Sequence, residues 1–512
     1  MNSRMPPVLR PEHPLARPLA ELVSHFGLRA SGEFSSVTVT GVTLRSTEVQ
    51  PGDLYVGVPG AHSHGADFAE DARAAGAVAL VTDPAGALRA VQSGLPTVIS
   101  DSPRELLGEL SAWVYRTMDN PPMLFGITGT NGKTSTAYIL EAILRQLGVV
   151  TGLSSTAERH IAGLTVVSRL TTPEASEIHA LLARMQESAV AAVAIEVSAQ
   201  ALSRNRVDGI FFDVVAFTNL SHDHLDDYAD MEEYFEAKMS LFAPTRGGRG
   251  VISLDSPYGD RLASSARIPV TTVSSSPAAS GDWNVVITEE RAAWTGFTLI
   301  GPEGQSLTTR VPLIGRHMAA NAGLAIVMLI EAGCAFARIA DVLEDAEILV
   351  YLPGRTERVS GESGPSVFVD FGHSPDAFLN TLAAVRTFTT GRVIMVFGAD
   401  GDRDATKRHE MGRVASEGSD ILIITDHHPR FEDPQAIRST LIEGASLATQ
   451  QAELFEVSPP ESAIRRAVSL ARDGDSILWA GPGHQDYRDI RGVRTPYSAR
   501  SEARDALREA GW

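Results

Sequence analysis

The sequence predicts an α/β protein of three domains: a small α/β unit, a central parallel sheet entered through a glycine loop, and a Rossmann-like C-terminal sheet. Three observations lead there. The chain has 512 residues, room for about three domains of ~150 residues. Short apolar runs alternate with helical stretches through most of its length, the signature of strand–helix units in a parallel sheet. Proline-rich breaks at Asn120-Pro121-Pro122 and Leu352-Pro353-Gly354 divide the series.

The first segment, 1–121, carries strand patterns at Val37–Leu44, Gly52–Val58 and Ala77–Val81, with helical runs at Phe68–Ala75 and Pro103–Met118. The second, 122–351, opens on the apolar strand Met123–Ile127, turns through glycines, and continues as a helix from Thr134 to Leu147. Further buried strands are expected at Ala191–Val197 and Val214–Thr218. The third, 352–512, repeats strand–helix units at Val367–Phe371, Val393–Phe397, Ile421–Thr425 and Ser476–Ala480. No internal repeat or low-complexity tract interrupts this order.

Composition narrows the function classes. Hydrophobic residues are 43% and charged residues 21%, the balance of a soluble globular protein. The net charge of −19 disfavours a nucleic-acid partner. The single cysteine, Cys334, permits no intramolecular disulfide and reads as a small buried hydrophobe. Met1–Pro7 has no apolar core for a signal peptide, and no run of ~18 apolar residues exists to insert in a membrane. The cytoplasm is therefore the expected compartment, and a monomer the default state.

Gly126-Ile127-Thr128-Gly129-Thr130-Asn131-Gly132-Lys133-Thr134 lies between a predicted strand and a predicted helix, the context a phosphate loop requires. Its glycines let backbone N–H groups turn inward, and the helix N-terminus adds partial positive charge. Lys133 would reach the terminal phosphates of ATP, and Thr134 would hold Mg²⁺. Glu196 ends the strand Val193–Val197, where a carboxylate at a parallel strand's C-terminal edge enters the ligand crevice. Polar residues crowd Thr218–Asp226, with His224 a candidate metal ligand. Lys238 shares a helix face with Tyr234, Phe235, Leu241 and Phe242, where a free ammonium is costly. From pattern alone it reads as a lysine snorkelling past aromatics.

G-x-x-G-x-N-G-K-T, the run Asn219-Leu220-Ser221-x-Asp223-His224-Leu225-Asp226, and Lys238 together resemble the Mur ligase family. The resemblance continues in Pro353-Gly354-Arg355-Thr356-Glu357, in Asp370-Phe371-Gly372-His373-Ser374-Pro375-Asp376, and in Phe397–Asp404 with Lys407-Arg408. It thus covers both large domains, and it implies an ATP- and Mg²⁺-dependent ligase. Lys133, Glu196, His224 and Lys238 would be catalytic. Lys238 would be carbamylated, and with Thr134, Glu196 and His224 would bind the metal. Gly126, Thr128, Gly129, Thr130, Asn131, Gly132, Thr134, Asn321, Arg355 and Asp370 would contact ATP.

The MurE-type branch is the nearest resemblance, and it implies UDP-N-acetylmuramoyl-L-alanyl-D-glutamate and a free diamino acid as partners. Leu44 and Ser46 stand where that branch holds the uridine nucleotide. Thr171, Thr172, Ser198, Arg204 and Arg206 fall where it holds the muramyl dipeptide. His373, Arg403, His427, His428, Pro429, Arg430, Gly481 and Gln485 fall where it closes on the amino acid. Several positions depart from the branch's pattern. The selector D-N-P-R is His427-His428-Pro429-Arg430, and G-K-G-H-E is Gly481-Pro482-Gly483-His484-Gln485. Ser198-Ala199-Gln200 replaces S-S-H, Arg204 replaces a glutamine, and Met318 replaces an asparagine while Asn321 stays. The retained Arg430 favours meso-diaminopimelate over L-lysine by pairing with a distal carboxylate. The altered selector also admits a different class of protein, a paralogue that binds nucleotide without ligating. A folylpolyglutamate-type ligase is disfavoured by the long segment before the loop.

Overall fold

A computed structural model describes residues 8–223 and 225–512. The largest sheet has eleven strands, and Met123–Thr128 lies at its parallel centre between Ala192–Glu196 and Phe212–Phe217. These strands are apolar on both faces because helices cover both sides. Lys133–Gln146 and Arg316–Glu331 pack on one face. Ala175–Glu187 and Met231–Met239 pack on the other. Register pairs Glu196 with Ile127 and Phe217 with Thr128, so three strand ends converge on the glycine loop.

The wings of this sheet differ from the purely parallel expectation. Trp283–Glu290, Thr295–Ile300 and Ser306–Val311 form an antiparallel extension at one edge. The hairpin Glu158–Ile161/Leu164–Val167 forms the other. Their strands alternate polar and apolar residues, as in Ser306–Val311 with Leu307, Thr309 and Val311 buried, and so lack the continuous apolar run that marks a buried parallel strand.

The N-terminal sheet runs in the order Arg29–Ser31, Thr97–Ile99, Ala79–Thr82, Asp53–Gly57, Gly41–Thr43. The single strand expected at Val37–Leu44 is divided. Thr38–Val39 pairs with Arg17–Pro18, and Gly41–Thr43 pairs with Asp53–Gly57. The chain changes sheets at Thr40, whose N–H donates to the Gly52 carbonyl at 2.9 Å. Helix Pro103–Tyr115 shares a core with Ala175–Glu187 of the central sheet. The contact is close: a Cβ on Gly108 would strike the Asp208 carbonyl, and one on Gly209 would come within 2.7 Å of the Gly108 carbonyl.

The C-terminal sheet has six strands in the order Glu357–Arg358, Ser366–Asp370, Ser476–Ala480, Val393–Phe397, Ile421–Ile424, Glu453–Glu456, all parallel after the first pair. Its C-terminal strand ends face the glycine loop across a cavity of about 750 Å³. Ligand crevices of open α/β sheets form at such ends.

Candidate active site

The glycine loop has the conformation its residues suggest. Gly129 (φ 148°) and Gly132 (φ 87°) occupy backbone that side chains rarely adopt. A Cβ on Gly129 would strike Thr218 Oγ1, and one on Gly132 would lie 2.7 Å from Asn321 Oδ1. Gly126 and Thr128 stand apart from this group. Both lie within the strand beneath the loop, outside the cavity lining. A Cβ on Gly126 would press on the Phe212 ring at 2.9 Å, so this glycine serves packing between strands rather than phosphate contact. Thr130, Asn131, Gly132, Lys133 and Thr134 line the cavity. The Asn131 N–H donates to Asn219 Oδ1 at 2.9 Å, and Thr218 Oγ1 donates to the Asn131 carbonyl at 2.6 Å.

Lys133 Nζ donates to the Gly129 and Thr130 carbonyls, both at 2.9 Å. Burial lowers its pKa, and Arg355 adds to that, while Glu196 opposes it. Glu196 is wholly buried, and its two oxygens accept from the Thr156 N–H at 2.8 Å and the Thr156 hydroxyl at 3.0 Å. Lys238 is 1% exposed, donates to the Gly129 carbonyl at 2.9 Å, and stands 4.2 Å over the Tyr234 ring. Burial first, and the Lys133 charge second, push its pKa well below the ordinary lysine value. A lysine so placed favours the neutral amine, the form that reacts with CO₂. His224 lies outside the described residues.

From the opposite sheet, Arg355 Nη2 donates to Thr134 Oγ1 at 2.8 Å, and its guanidinium sits 4.5 Å over Phe371. Asp370 accepts from the Thr356 N–H, the Thr356 hydroxyl and the Gly372 N–H, which fixes its orientation. Asn321 lines the cavity beside Gly132. These residues fit ATP and Mg²⁺. Arg355 Nε is a buried donor with no partner among the described residues, which an anionic phosphate would satisfy. Thr134 and Glu196 supply the hard oxygen ligands that Mg²⁺ prefers.

A chain of contacts extends from Glu196 toward the residues expected to hold the muramyl dipeptide. With the Thr156 hydroxyl proton given to Glu196, Thr156 Oγ1 accepts from the Thr171 hydroxyl at 3.0 Å, and Thr172 Oγ1 donates to the Glu196 carbonyl at 2.8 Å. Ser198 caps helix Ala199–Ser203, and Arg206 pairs with Glu174 at 2.9 Å. Arg204 departs from the expectation. Its side chain is half exposed, pairs with Asp227 at 2.9 Å, and does not line the cavity. Leu44 and Ser46 are also away from the main cavity. Leu44 borders a smaller polar cleft of about 120 Å³ between the first two domains, and Ser46 opens the adjacent short helix.

In the C-terminal wall, His373, Arg403, His427, Arg430, Gly481 and Gln485 line the cavity. His373 Nδ1 donates to the Phe371 carbonyl at 2.9 Å, and Arg403 is exposed at the rim. His428 and Pro429 are buried behind the lining. His428 Nε2 donates to Gln485 Oε1 at 2.8 Å, its Nδ1 accepts from the Asp489 N–H at 3.0 Å, and its ring stacks on Tyr487. These bonds need the neutral tautomer, and burial lowers its pKa accordingly.

Several cavity residues were not singled out from sequence. Lys407 and Asp223 form a buried ion pair at 2.6 Å, joining two motifs 184 residues apart. Asn131 Nδ2 donates to Asp376 Oδ2 at 3.0 Å across the same gap. Asp223, Asp376 and Lys407 stand in the quoted motifs, but only the folded chain pairs them. Thr156 carried no motif signal. Beside it, His160 bridges Glu141 at 2.7 Å and Glu158 at 3.3 Å, and Glu158 also accepts from the Tyr138 hydroxyl at 2.8 Å. This ties the hairpin that follows the Thr156 loop to the helix that begins at Lys133. Burial works to lower the His160 pKa, but the two carboxylates outweigh it and raise it to about 9.

A phosphate loop, a buried carboxylate at the next strand end and a facing Rossmann-like wall define an ATP-dependent ligase that forms carbon–nitrogen bonds. The chain belongs to the Mur ligase family: the family's catalytic domain matches residues 38–115, its middle domain 127–329, and its glutamate ligase domain 354–483. It is 58% identical over the full length of both chains to the UDP-N-acetylmuramyl-tripeptide synthetase of Leifsonia xyli subsp. xyli. It is 42% identical, over 98% of each chain, to the UDP-N-acetylmuramoyl-L-alanyl-D-glutamate–2,6-diaminopimelate ligase of Streptomyces avermitilis. A solved structure of a ligase of that latter name shares the fold at TM-score 0.63 and 24% identity, covering 94% of this chain and 97% of the other. ATP and Mg²⁺ are the cofactors of the family.

Proposed function

We propose that the chain adds a diamino acid to the D-glutamyl side chain of UDP-N-acetylmuramoyl-L-alanyl-D-glutamate, as the names of its relatives suggest for them. One observation carries the reading: strand register sets Glu196 beside the phosphate loop, with Lys238 buried on the same loop and the C-terminal wall closing the opposite side. The uridine end would lie toward Leu44 and Ser46, and the dipeptide along Thr171, Thr172, Ser198 and Arg206. The working domains are 1–121 for the uridine nucleotide, 122–351 for ATP and 352–512 for the amino acid. A cytoplasmic monomer fits this role, and no described helix is long and apolar enough to cross a membrane.

The chemistry follows from a poor leaving group. The D-glutamyl carboxylate takes the terminal phosphoryl group of ATP, giving an acyl phosphate. The amine of the diamino acid attacks the acyl carbon, and the tetrahedral intermediate collapses to amide and phosphate. Lys133 and Arg355 neutralise charge developing on the phosphoryl oxygens. Mg²⁺, held by Thr134, Glu196, His224 and carbamylated Lys238, would supply further charge stabilisation there. The Lys407–Asp223 and Asn131–Asp376 contacts hold the two walls together, which keeps water from the acyl phosphate.

ADP release is measured with ATP, the UDP-muramyl dipeptide and each diamino acid in turn. Turnover with at least one is expected. Release with none of them would sink the ligase reading in favour of a non-ligating paralogue.

A further inference from the structure

Asp400 follows strand Val393–Phe397 and lines the cavity on the amino-acid side. Its Oδ2 accepts from Arg430 Nη2 at 3.2 Å. Its Oδ1 is buried and has no hydrogen-bond donor among the described residues. His427 Nε2 flanks that oxygen at 3.5 Å, yet burial and the adjoining His428 push the His427 pKa down to about 3, so the ring is neutral near pH 7. Burial works to raise the Asp400 pKa, and the charge of the Arg430 guanidinium at 3.2 Å works against it, so the net direction is down and the carboxylate stays ionised.

Two consequences follow from charge. Arg430 is already engaged by a carboxylate, so a distal carboxylate brought to it would meet Asp400 as a like charge. An ionised oxygen shut from water without a donor is unfavourable until a cation reaches it. A metal ion is not that cation. Asp400, His427 and His428 lie close enough together to suggest a ligand triad, but the His428 Nδ1 lone pair is taken by the Asp489 N–H and its Nε2 carries the proton given to Gln485. The Asp400 carboxylate, partly exposed in the cavity wall, therefore presents negative charge there with one oxygen that has no donor among the described residues.

We infer that Asp400 is a specificity-determining residue: its carboxylate receives the side-chain ammonium of a diamino acid that has no distal carboxylate, the lysine and ornithine class, in preference to meso-diaminopimelate. Arg430 then positions Asp400 rather than anchoring a distal carboxylate. The turn that places it is braced from the hairpin Tyr487–Ile490/Val493–Pro496. The Arg430 N–H donates to the Asp489 carbonyl at 3.2 Å, and the Arg491 N–H to the Arg430 carbonyl at 2.8 Å. This inference rests on the ligase reading above and adds the substrate class to it.

The full chain is assayed with ATP, the UDP-muramyl dipeptide and, separately, L-lysine, L-ornithine, L-2,4-diaminobutyrate and meso-diaminopimelate, following ADP release and product mass. At least one of the first three should exceed meso-diaminopimelate in kcat/KM by about tenfold or more, the scale of one charged hydrogen bond. A preference for meso-diaminopimelate overturns the inference and leaves the ligase reading standing; no release with any of them overturns both. Asp400→Asn should raise KM for the favoured amino acid by about 10- to 100-fold with KM for ATP unchanged. Asp400→Gly, which releases Arg430, should move selectivity toward meso-diaminopimelate. Wild-type selectivity in both variants also overturns the inference.

Discussion

On the nucleotide side of the cavity, shape comes from the main chain. Gly129 and Gly132 hold left-handed backbone, and the lysines around them point at loop carbonyls. On the amino-acid side it comes from side chains holding side chains: Arg430 on Asp400, Gln485 on His428, His428 on the hairpin backbone. A backbone-made loop takes a phosphate whatever amino acid is to be joined, because its N–H groups and its lysines meet only the nucleotide. A side-chain-made site changes its ligand with a few substitutions. Variants of the first wall should therefore lower turnover with every amino acid alike, and variants of the second should alter the ranking among them.

The largest effect is expected at Lys133. Lys133→Ala should lower kcat/KM by about 10²–10³-fold for every amino acid tested, read as ADP release. A loss confined to one amino acid would break the division between the walls. Lys238→Gln should lower kcat by about 10²-fold, and wild-type turnover should fall when dissolved CO₂ is stripped and return with bicarbonate. Turnover indifferent to CO₂ would leave Lys238 as a packed amine only. Gly129→Ala forces an alanine into φ 148° against Thr218, at a cost of about 1–3 kcal/mol or more in a denaturant titration.

His160 sharpens the comparison from outside the cavity. Its folded pKa, about 9, lies above the ordinary value. The stability it adds is thus complete below about pH 6.5 and drains away as pH rises through about 9. Wild type should lose at most about 3 kcal/mol over that window relative to His160→Gln, measured as denaturant midpoints across pH. Parallel curves for the two proteins would remove His160 from the account. Arg204→Ala is the smallest: an exposed ion pair with Asp227 contributes about 0.2–1 kcal/mol, and selectivity should not move.

The division also explains what could be read from sequence. The strand Met123–Thr128, the helix at Lys133 and the strand ending at Glu196 each follow from an apolar run and a loop signal, within a residue or two. The edge hairpins, with their alternating polarity, did not declare themselves. Arg430 was legible as a residue, but its partner was not. Asp400 is thirty positions earlier on another strand end, and nothing in local pattern brings the two together. Thr156 was silent for a related reason: a threonine in a loop has no periodicity, and its role exists only through Glu196. Lys238 was legible in part, since its aromatic neighbours on the helix forecast burial but not the Gly129 carbonyl it reaches.

The contact of Gly108 with Asp208 and Gly209 joins main chain to main chain, and helix Pro103–Tyr115 continues the core of the next domain. Side chains of ordinary length would have left slack there; glycine leaves none. The first two domains thus act as a ruler of fixed length. Were the proposed nucleotide-linked substrate held at one end near Leu44, its carboxylate would meet the phosphate loop only if its span matched that fixed distance, and substrates shortened between nucleotide and dipeptide should lose turnover.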